Sequence, residues 1–348
     1  MSRPQTGTPT SGDLVIGGYT PDTDGSGPGL TVVRADPSGG LAPVAEAPAS
    51  GPSFVVEHPE LPLLYAVLER PDGGVAVFAE EPGGPRRLAE RPSGGSFPCH
   101  VAIDPDAEWL AVANYGDGTV AAYRLDDDGM LAPDPLLFRN EGSGPDPERQ
   151  RGPHAHQAVF GPDRVLHVTD LGTDEMRRFL PGMVPHPEGP VRLAPGSGPR
   201  HFVHHQEHWY VTGELDGTVR VYDEDWREVG GTAASESGEH NLPSHIAVSA
   251  DGRHLYVGNR GPDTVTVFAP DGPRLERVAE VPSGGHWPRH FAVTPDRLYV
   301  AEQRSDEVTA LDLVDGLPRA GVRAMGVGSP SCVLVRSRAT ATGDEGPV

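Results

Sequence analysis

Residues Pro243 to Gly272 read PSHIAVSADGRHLYVGNRGPDTVTVFAPDG. The stretch divides into a short alternating apolar run, a turn, a second run, another turn and a third run, and LERVAEVPSGG (Leu275 to Gly285) supplies a fourth. Runs of this length with a two-residue period, punctuated by Gly, Pro, Asp and Asn, are strands joined by tight turns. The same pattern returns as PCHVAIDPDAEWLAVANYGDGTVAAYRLDDDG from Pro98, PRHFVHHQEHWYVTGELDGTVRVYDED from Pro199 and PRHFAVTPDRLYVAEQRSDEVTALDL from Pro288. Weaker copies begin at Pro52 (PSFVVEHPELPLLYAVLE) and at His154 (HAHQAVFGPDRVLHVTDLG).

The first residues of the second strands are Leu14, Leu64, Leu110, Leu166, Trp209, Leu255 and Leu298, spaced 50, 46, 56, 43, 46 and 43 residues apart. Four short antiparallel strands per such period form one blade of a β-propeller, and seven anchors predict seven blades. The N-terminal LVIGGYT lacks a first strand, and the C-terminal PSCVLVRS is a first strand without the rest. Joining the two ends completes the seventh unit and removes the exposed edges of an open array. The expected architecture is all-β: a seven-bladed propeller over residues 13–336, flanked by disordered tails at 1–12 and 337–348. The 56-residue step holds an extra loop, Arg139 to His156 (RNEGSGPDPERQRGPHAH), on one rim.

Gly 45 and Pro 38 make up about a quarter of the 348 residues, which the many turns account for. All 28 basic residues are arginine, so Schiff-base chemistry and a phosphate-loop lysine are excluded. A formal charge of −22 argues against nucleic acid or an anionic membrane as partner. Any anionic ligand must then be met by a local cluster of Arg and His. No apolar stretch approaches 18 residues, and the N-terminus carries no signal-peptide core. The expectation is a cytoplasmic protein with reduced thiols, Cys99 and Cys332 fitting no zinc or redox spacing and reading as small core residues. A ring of this size and charge is expected as a monomer.

In each blade the start of the first strand and the end of the second reach the same rim beside the central channel. One column there is Ser53, Cys99, His156, Arg200, Ser244, Arg289 and Ser331. A second is Tyr19, Glu69, Tyr115, Leu171, Glu214, Arg260 and Gln303, preceded by Gly18, Leu68, Asn114, Asp170, Gly213, Asn259 and Glu302. A residue type shared by most blades serves the blade, whereas one that breaks its column is a candidate for a ligand. By that test Arg200, Arg289 and His156 stand out. Converging guanidinium forks suit carboxylate or phosphate oxygens, with pairing to Glu69, Glu214 or Asp170 as the structural reading.

The next position, Phe54, His100, Gln157, His201, His245, His290 and Cys332, repeats histidine and reads as a structural device bonding the neighbouring blade. Glu214 and Glu69 are candidate general bases if desolvated, or neutralised partners of arginine. His154 and His156 flank Ala155, so an extended strand turns both to one side. Strict alternation places Cys99 and His100 on opposite faces, which disfavours a dyad. No nucleophile elbow, phosphate loop or dinucleotide fingerprint occurs.

Together GGYT, GSGPDPERQRGPHAH, VTDLGTD, GPRHF, LYVGNRG and WPRHF resemble the lactonase family of seven-bladed propellers, over about Leu14 to Val335. That family includes cycloisomerase-type 6-phosphogluconolactonases and is related to fungal carboxy-muconate cyclases. The resemblance implies a carboxylic-ester hydrolase of the pentose phosphate pathway, opening a sugar lactone in the rim pocket without an obligatory metal or other cofactor. It puts the histidine in PHAH (His154 or His156), an arginine at Arg200 and the glutamate at Glu214, with Arg260 or Arg289 as a further arginine. The family commonly has Asn where this chain has Gly213 and Leu68.

The expected site is therefore His154, His156, Arg200 and Glu214 for chemistry. Arg260, Arg289, Glu69, Asp170, Tyr115, Gln303 and the loop's Arg149 are expected to bind substrate. Three alternatives stand beside it: a calcium-dependent lactonase using Glu69, Asn114, Asp170 and Asn259, a lactonising cyclase, and a non-catalytic protein-binding propeller.

Overall fold

The computed structural model describes residues 13–36, 40–319 and 323–336; the expected tails lie outside them. Thirty strand segments form seven separate antiparallel sheets arranged as the blades of a ring, and the only helical segment among the described residues is a 3-10 turn at Pro21–Thr23. Among the described residues no helix is long and apolar enough to cross a membrane. Each blade runs outward from an inner strand at the channel. In blade order these are Pro330–Val335, Phe54–Glu57, Pro98–Ile103, Ala155–Phe160, Pro199–His205, Leu242–Val248 and Pro288–Val293. In blades 4 and 7 the outermost strand is split into two short segments.

Blade 1 combines the two ends of the chain: Pro330–Val335 pairs with Asp13–Gly18, Ile16 facing Val333 and Gly17 facing Cys332. A Cβ at Gly17 would collide with the carbonyl oxygen of Pro52, so the GG of the opening motif lets blade 1 approach blade 2. The alternating apolar residues are spent between blades. Tyr65 and Val77 of blade 2, for example, pack on Val101, Val112 and Tyr123 of blade 3 in one fully buried cluster. Such layers repeat around the ring, and closure leaves no blade with a bare face.

The inner strands depart from strict alternation at one place. The register slips between Pro98 and His100, Ala155 and Ala158, Pro199 and Phe202, Pro243 and Ile246, and Pro288 and His290. A bulge of this kind re-aims consecutive side chains. At Cys99 and His100 only the cysteine lines the cleft. Where the strand enters the channel rim, Arg200 with His201, and Arg289 with His290, turn to the same cleft.

Candidate active site

The cleft opens at the channel mouth. Six of the seven first-column residues line it: Ser53, Cys99, His156, Arg200, Arg289 and Ser331. Glu69 comes from the second column, and Phe54, His201 and His290 form the floor. The seventh first-column residue, Ser244, is turned away, its hydroxyl donating to the Pro288 carbonyl at 2.6 Å. The small residues Ser53, Cys99 and Ser331 were not singled out from sequence, because they do not break their column. Their contribution is the space that three large side chains leave open.

On the side of blades 5 and 6, Glu214 is almost fully buried and takes three guanidinium groups. Arg149 Nη2 donates to Oε1 at 2.7 Å and Arg260 Nη2 to Oε2 at 2.7 Å. Arg200 Nε lies 3.0 Å from Oε2 but off the line of a hydrogen bond. Burial by itself would raise the Glu214 pKa; Arg260, then Arg200, overcome it and hold the carboxyl well below its ordinary range. The expectation that Glu214 activates water therefore meets a carboxylate whose lone pairs and proton affinity are already committed. Arg200 is held at its other end by the Ser244 carbonyl, 2.7 Å from Nη1, and Nη2 makes no hydrogen bond among the described residues. Burial, then the charge of Arg260, push its pKa down to about 9, so it remains a cation at neutral pH.

The opposite side, from blades 7, 1 and 2, is looser. Tyr19 donates its hydroxyl to Glu69 at 2.9 Å, and Arg289 Nη2 donates to the Tyr19 oxygen at 2.6 Å while standing 4.0 Å from the Glu69 carboxylate. Gln303 touches Arg289 at 3.5 Å from outside the cleft. Burial pushes the Tyr19 phenol well above its ordinary pKa, so it stays protonated and keeps donating.

His156 and His154 both meet the ring of Tyr115, His154 stacked at 4.5 Å and His156 edge-on at 5.8 Å. Only His156 lines the cleft. Neither of its ring nitrogens has a hydrogen-bond partner among the described residues, and Nδ1 is buried. Burial, then Arg200, lower its pKa well below the histidine norm against the pull of Glu214. It is a neutral imidazole at pH 7. His154 instead donates from Nδ1 to the Tyr115 carbonyl at 2.6 Å and stays off the cleft.

Asp170, expected to bind substrate, is spent on structure. Oδ1 accepts the His154 amide at 2.8 Å and the Gly172 and Thr173 amides at 3.2 Å each, and Oδ2 accepts Asn140 at 2.9 Å. It thus staples both ends of the Arg139 to His156 loop, whose Gln150 is buried and donates to the Leu171 carbonyl at 2.8 Å. The stapled loop carries Arg149 to Glu214, and Arg149 also donates to the Tyr115 hydroxyl at 3.0 Å. Tyr115, Arg149 and Arg260 stand behind the cleft wall and position Arg200 through Glu214.

Cys332 is a core residue as expected. Cys99 is buried as expected and also lines the cleft, with its thiol donating to the His156 carbonyl at 3.2 Å, and burial keeps that thiol protonated. The proposed cation ligands are also tied up, Asn114 Oδ1 accepting Ser93 Oγ at 2.6 Å and Asn259 Oδ1 accepting Asn241 at 2.9 Å. Among the described residues no three His, Cys, Asp or Glu side chains converge as a metal site.

The closed propeller thus carries a rim cleft with two arginines, an unpartnered histidine and one carboxylate, Glu69, with Glu214 held behind Arg200. The model of the family described as "Lactonase, 7-bladed beta-propeller" matches residues 13–335, and the chain belongs to that family. It is 32% identical to a 6-phosphogluconolactonase of Bacillus subtilis over 73% of this chain and 77% of that one. It is 30% identical to a 6-phosphogluconolactonase of Formosa agariphila over 74% and 79%. The fold superposes on the periplasmic gluconolactonase of Pseudomonas aeruginosa with a TM-score of 0.87 and 28% identity, covering 94% of this chain and 99% of that one.

Proposed function

We propose that this protein hydrolyses a sugar lactone, 6-phosphogluconolactone, to the open acid, acting as a monomer in the cytoplasm. The observation that carries the reading is the neutral, unpartnered His156 facing the same cleft as the fixed cation Arg200. His156 removes a proton from water as the water oxygen bonds to the lactone carbonyl carbon. Arg200 Nη2 meets the oxyanion that forms; Glu214, held on its other side, keeps the guanidinium in place and offsets the charge that His156 acquires. Collapse breaks the ring C–O bond, and His156 returns the proton to the departing ring oxygen. Water and lactone become hydroxy acid with no other reactant.

Arg149, Arg200, Arg260 and Arg289 against Glu69 and Glu214 leave the site about two charges positive in a chain of −22. That local excess supports an anionic substrate, and the named activity of the Bacillus and Formosa relatives supports the phosphorylated lactone. A second reading, unphosphorylated gluconolactone, is favoured by the Pseudomonas neighbour and by the Glu69 carboxylate in the cleft.

The test is hydrolysis of freshly generated 6-phosphogluconolactone against glucono-δ-lactone, with and without chelator, corrected for spontaneous opening. A chelator-insensitive rate that favours the phosphorylated lactone is expected. Equal rates move the assignment to the unphosphorylated sugar, and no rate above background with either refutes it.

A further inference from the structure

The floor of the cleft is built of imidazoles, and the bonds that hold them determine what they present to a ligand. His245 stacks on His290 at 4.0 Å, and His100 on Phe54 at 4.0 Å. In three blades the residue in this column accepts a backbone amide of the next blade. Gln157 Oε1 accepts the Phe202 N–H at 2.6 Å, His100 Nδ1 the Ala158 N–H at 3.4 Å, and His290 Nδ1 the Val333 N–H at 3.3 Å. An Nδ1 that accepts carries no proton, so a neutral ring held in this way has its proton on Nε2. Burial, then the charge of Arg200, push the His290 pKa down to about 3, which keeps the ring neutral. His290 lines the cleft and its Nε2 has no hydrogen-bond partner among the described residues. His201 also lines the cleft, but its Nδ1 meets His245 Nδ1 at 2.9 Å, so one of those rings must donate to the other and no backbone amide sets its tautomer.

We infer that His290 reads the substrate: its Nε2–H donates to a hydroxyl of the bound lactone and selects polyhydroxylated lactones over aliphatic ones. The inference rests on the lactonase reading and deepens it. The bulge at Pro288 places Arg289 and His290 side by side in the cleft, a guanidinium for an anionic group and an uncharged donor for a hydroxyl. A lactone without hydroxyls leaves this desolvated donor unpaired, a discrimination of roughly tenfold to a hundredfold.

Other blades supply the variants that test it. His290→Phe installs the residue that blade 2 has at this place, Phe54, and removes the donor. His290→Gln installs the residue of blade 4, Gln157, which keeps the inter-blade bond and an N–H donor. The measurement is kcat/KM for glucono-δ-lactone and for δ-valerolactone, the latter replaced by its inhibition constant if it is not cleaved. His290→Phe is expected to lower the preference for gluconolactone at least about tenfold, mainly through KM, and His290→Gln to recover much of it. An equal loss on both lactones, or an unchanged preference, overturns the inference and leaves the lactonase reading standing. Wild-type protein that opens neither gluconolactone nor its 6-phosphate overturns both. If His290→Phe does not fold, His290→Cys, the residue of blade 1, removes the donor and is scored in the same way.

Discussion

Glu214 and Glu302 are buried carboxyl groups at the ends of the second strands of blades 5 and 7, yet they ionise in opposite senses. Glu214 is surrounded by three guanidinium groups and stays charged far into acid. Among the described residues Glu302 has no cation beside it; one oxygen accepts Thr309 Oγ1 at 3.4 Å and the other is unsatisfied. Burial, against hydrogen bonding from Ser283, lifts its pKa to about 7. Asn114 occupies the equivalent place in blade 3, clasping Ser93 of a PSGG turn that blade 7 repeats at Ser283. Burial is common to both acids; the partners decide the charge. The same rule separates the two walls of the cleft, one saturated around Glu214 and one open around Glu69.

The largest expected effect is at Glu214. Glu214→Gln strands three buried or half-buried cations and should cost about 3–5 kcal/mol of folding free energy, whereas Glu69→Gln, which can still accept Tyr19, should cost at most about 1 kcal/mol. Urea unfolding of both variants measures this, and equal losses would erase the distinction between the walls.

Glu302→Gln works in the other direction. A carboxyl whose folded pKa is raised loses stability as pH climbs from its unfolded value through about 7. The amide should therefore stabilise the protein at pH 8 by on the order of 3 kcal/mol and do little at pH 5. Melting curves at the two pH values decide it; a stabilisation independent of pH would mean that charge is not the cause.

Arg200→Ala should lower kcat about a hundredfold, because it removes the fixed donor for the oxyanion, while Arg289→Ala on the open wall should act mainly on KM. Steady-state kinetics with the phosphorylated lactone would reveal the reverse pattern if the walls have been assigned wrongly. Smallest is Tyr19→Phe, which frees Arg289 and Glu69 from their shared phenol and should change kcat/KM by roughly tenfold or less. A loss as large as that of Arg200→Ala would make the open wall the catalytic one.

Much of this was legible in the chain because the fold is a repeat. The period predicts seven blades, and equal positions in successive blades bring Glu69, His156, Arg200 and Arg289 to one cleft. Three things were not legible. The small residues Ser53, Cys99 and Ser331 line the cleft by leaving room, which no column-breaking test detects. The bulges in the inner strands of blades 5 and 7 turn two consecutive residues to the cleft, where a two-residue period puts one. Asp170 looked like a ligand and is a staple, because its partners are amides at the two ends of a loop.

The sequence by itself determined the architecture and the inventory of the rim. Alternation and turn residues act within a blade, and strand pairing within about 45 residues is a local matter. Only the closed ring decided which rim groups remain available. Glu214 is neutralised by Arg149 from the loop before blade 4 and Arg260 from blade 6, His156 is left without a partner, and His290 takes its tautomer from an amide of blade 1. Those outcomes depend on distances of about 3 Å between groups far apart in the chain, which closure of the ring sets and a repeat pattern does not encode.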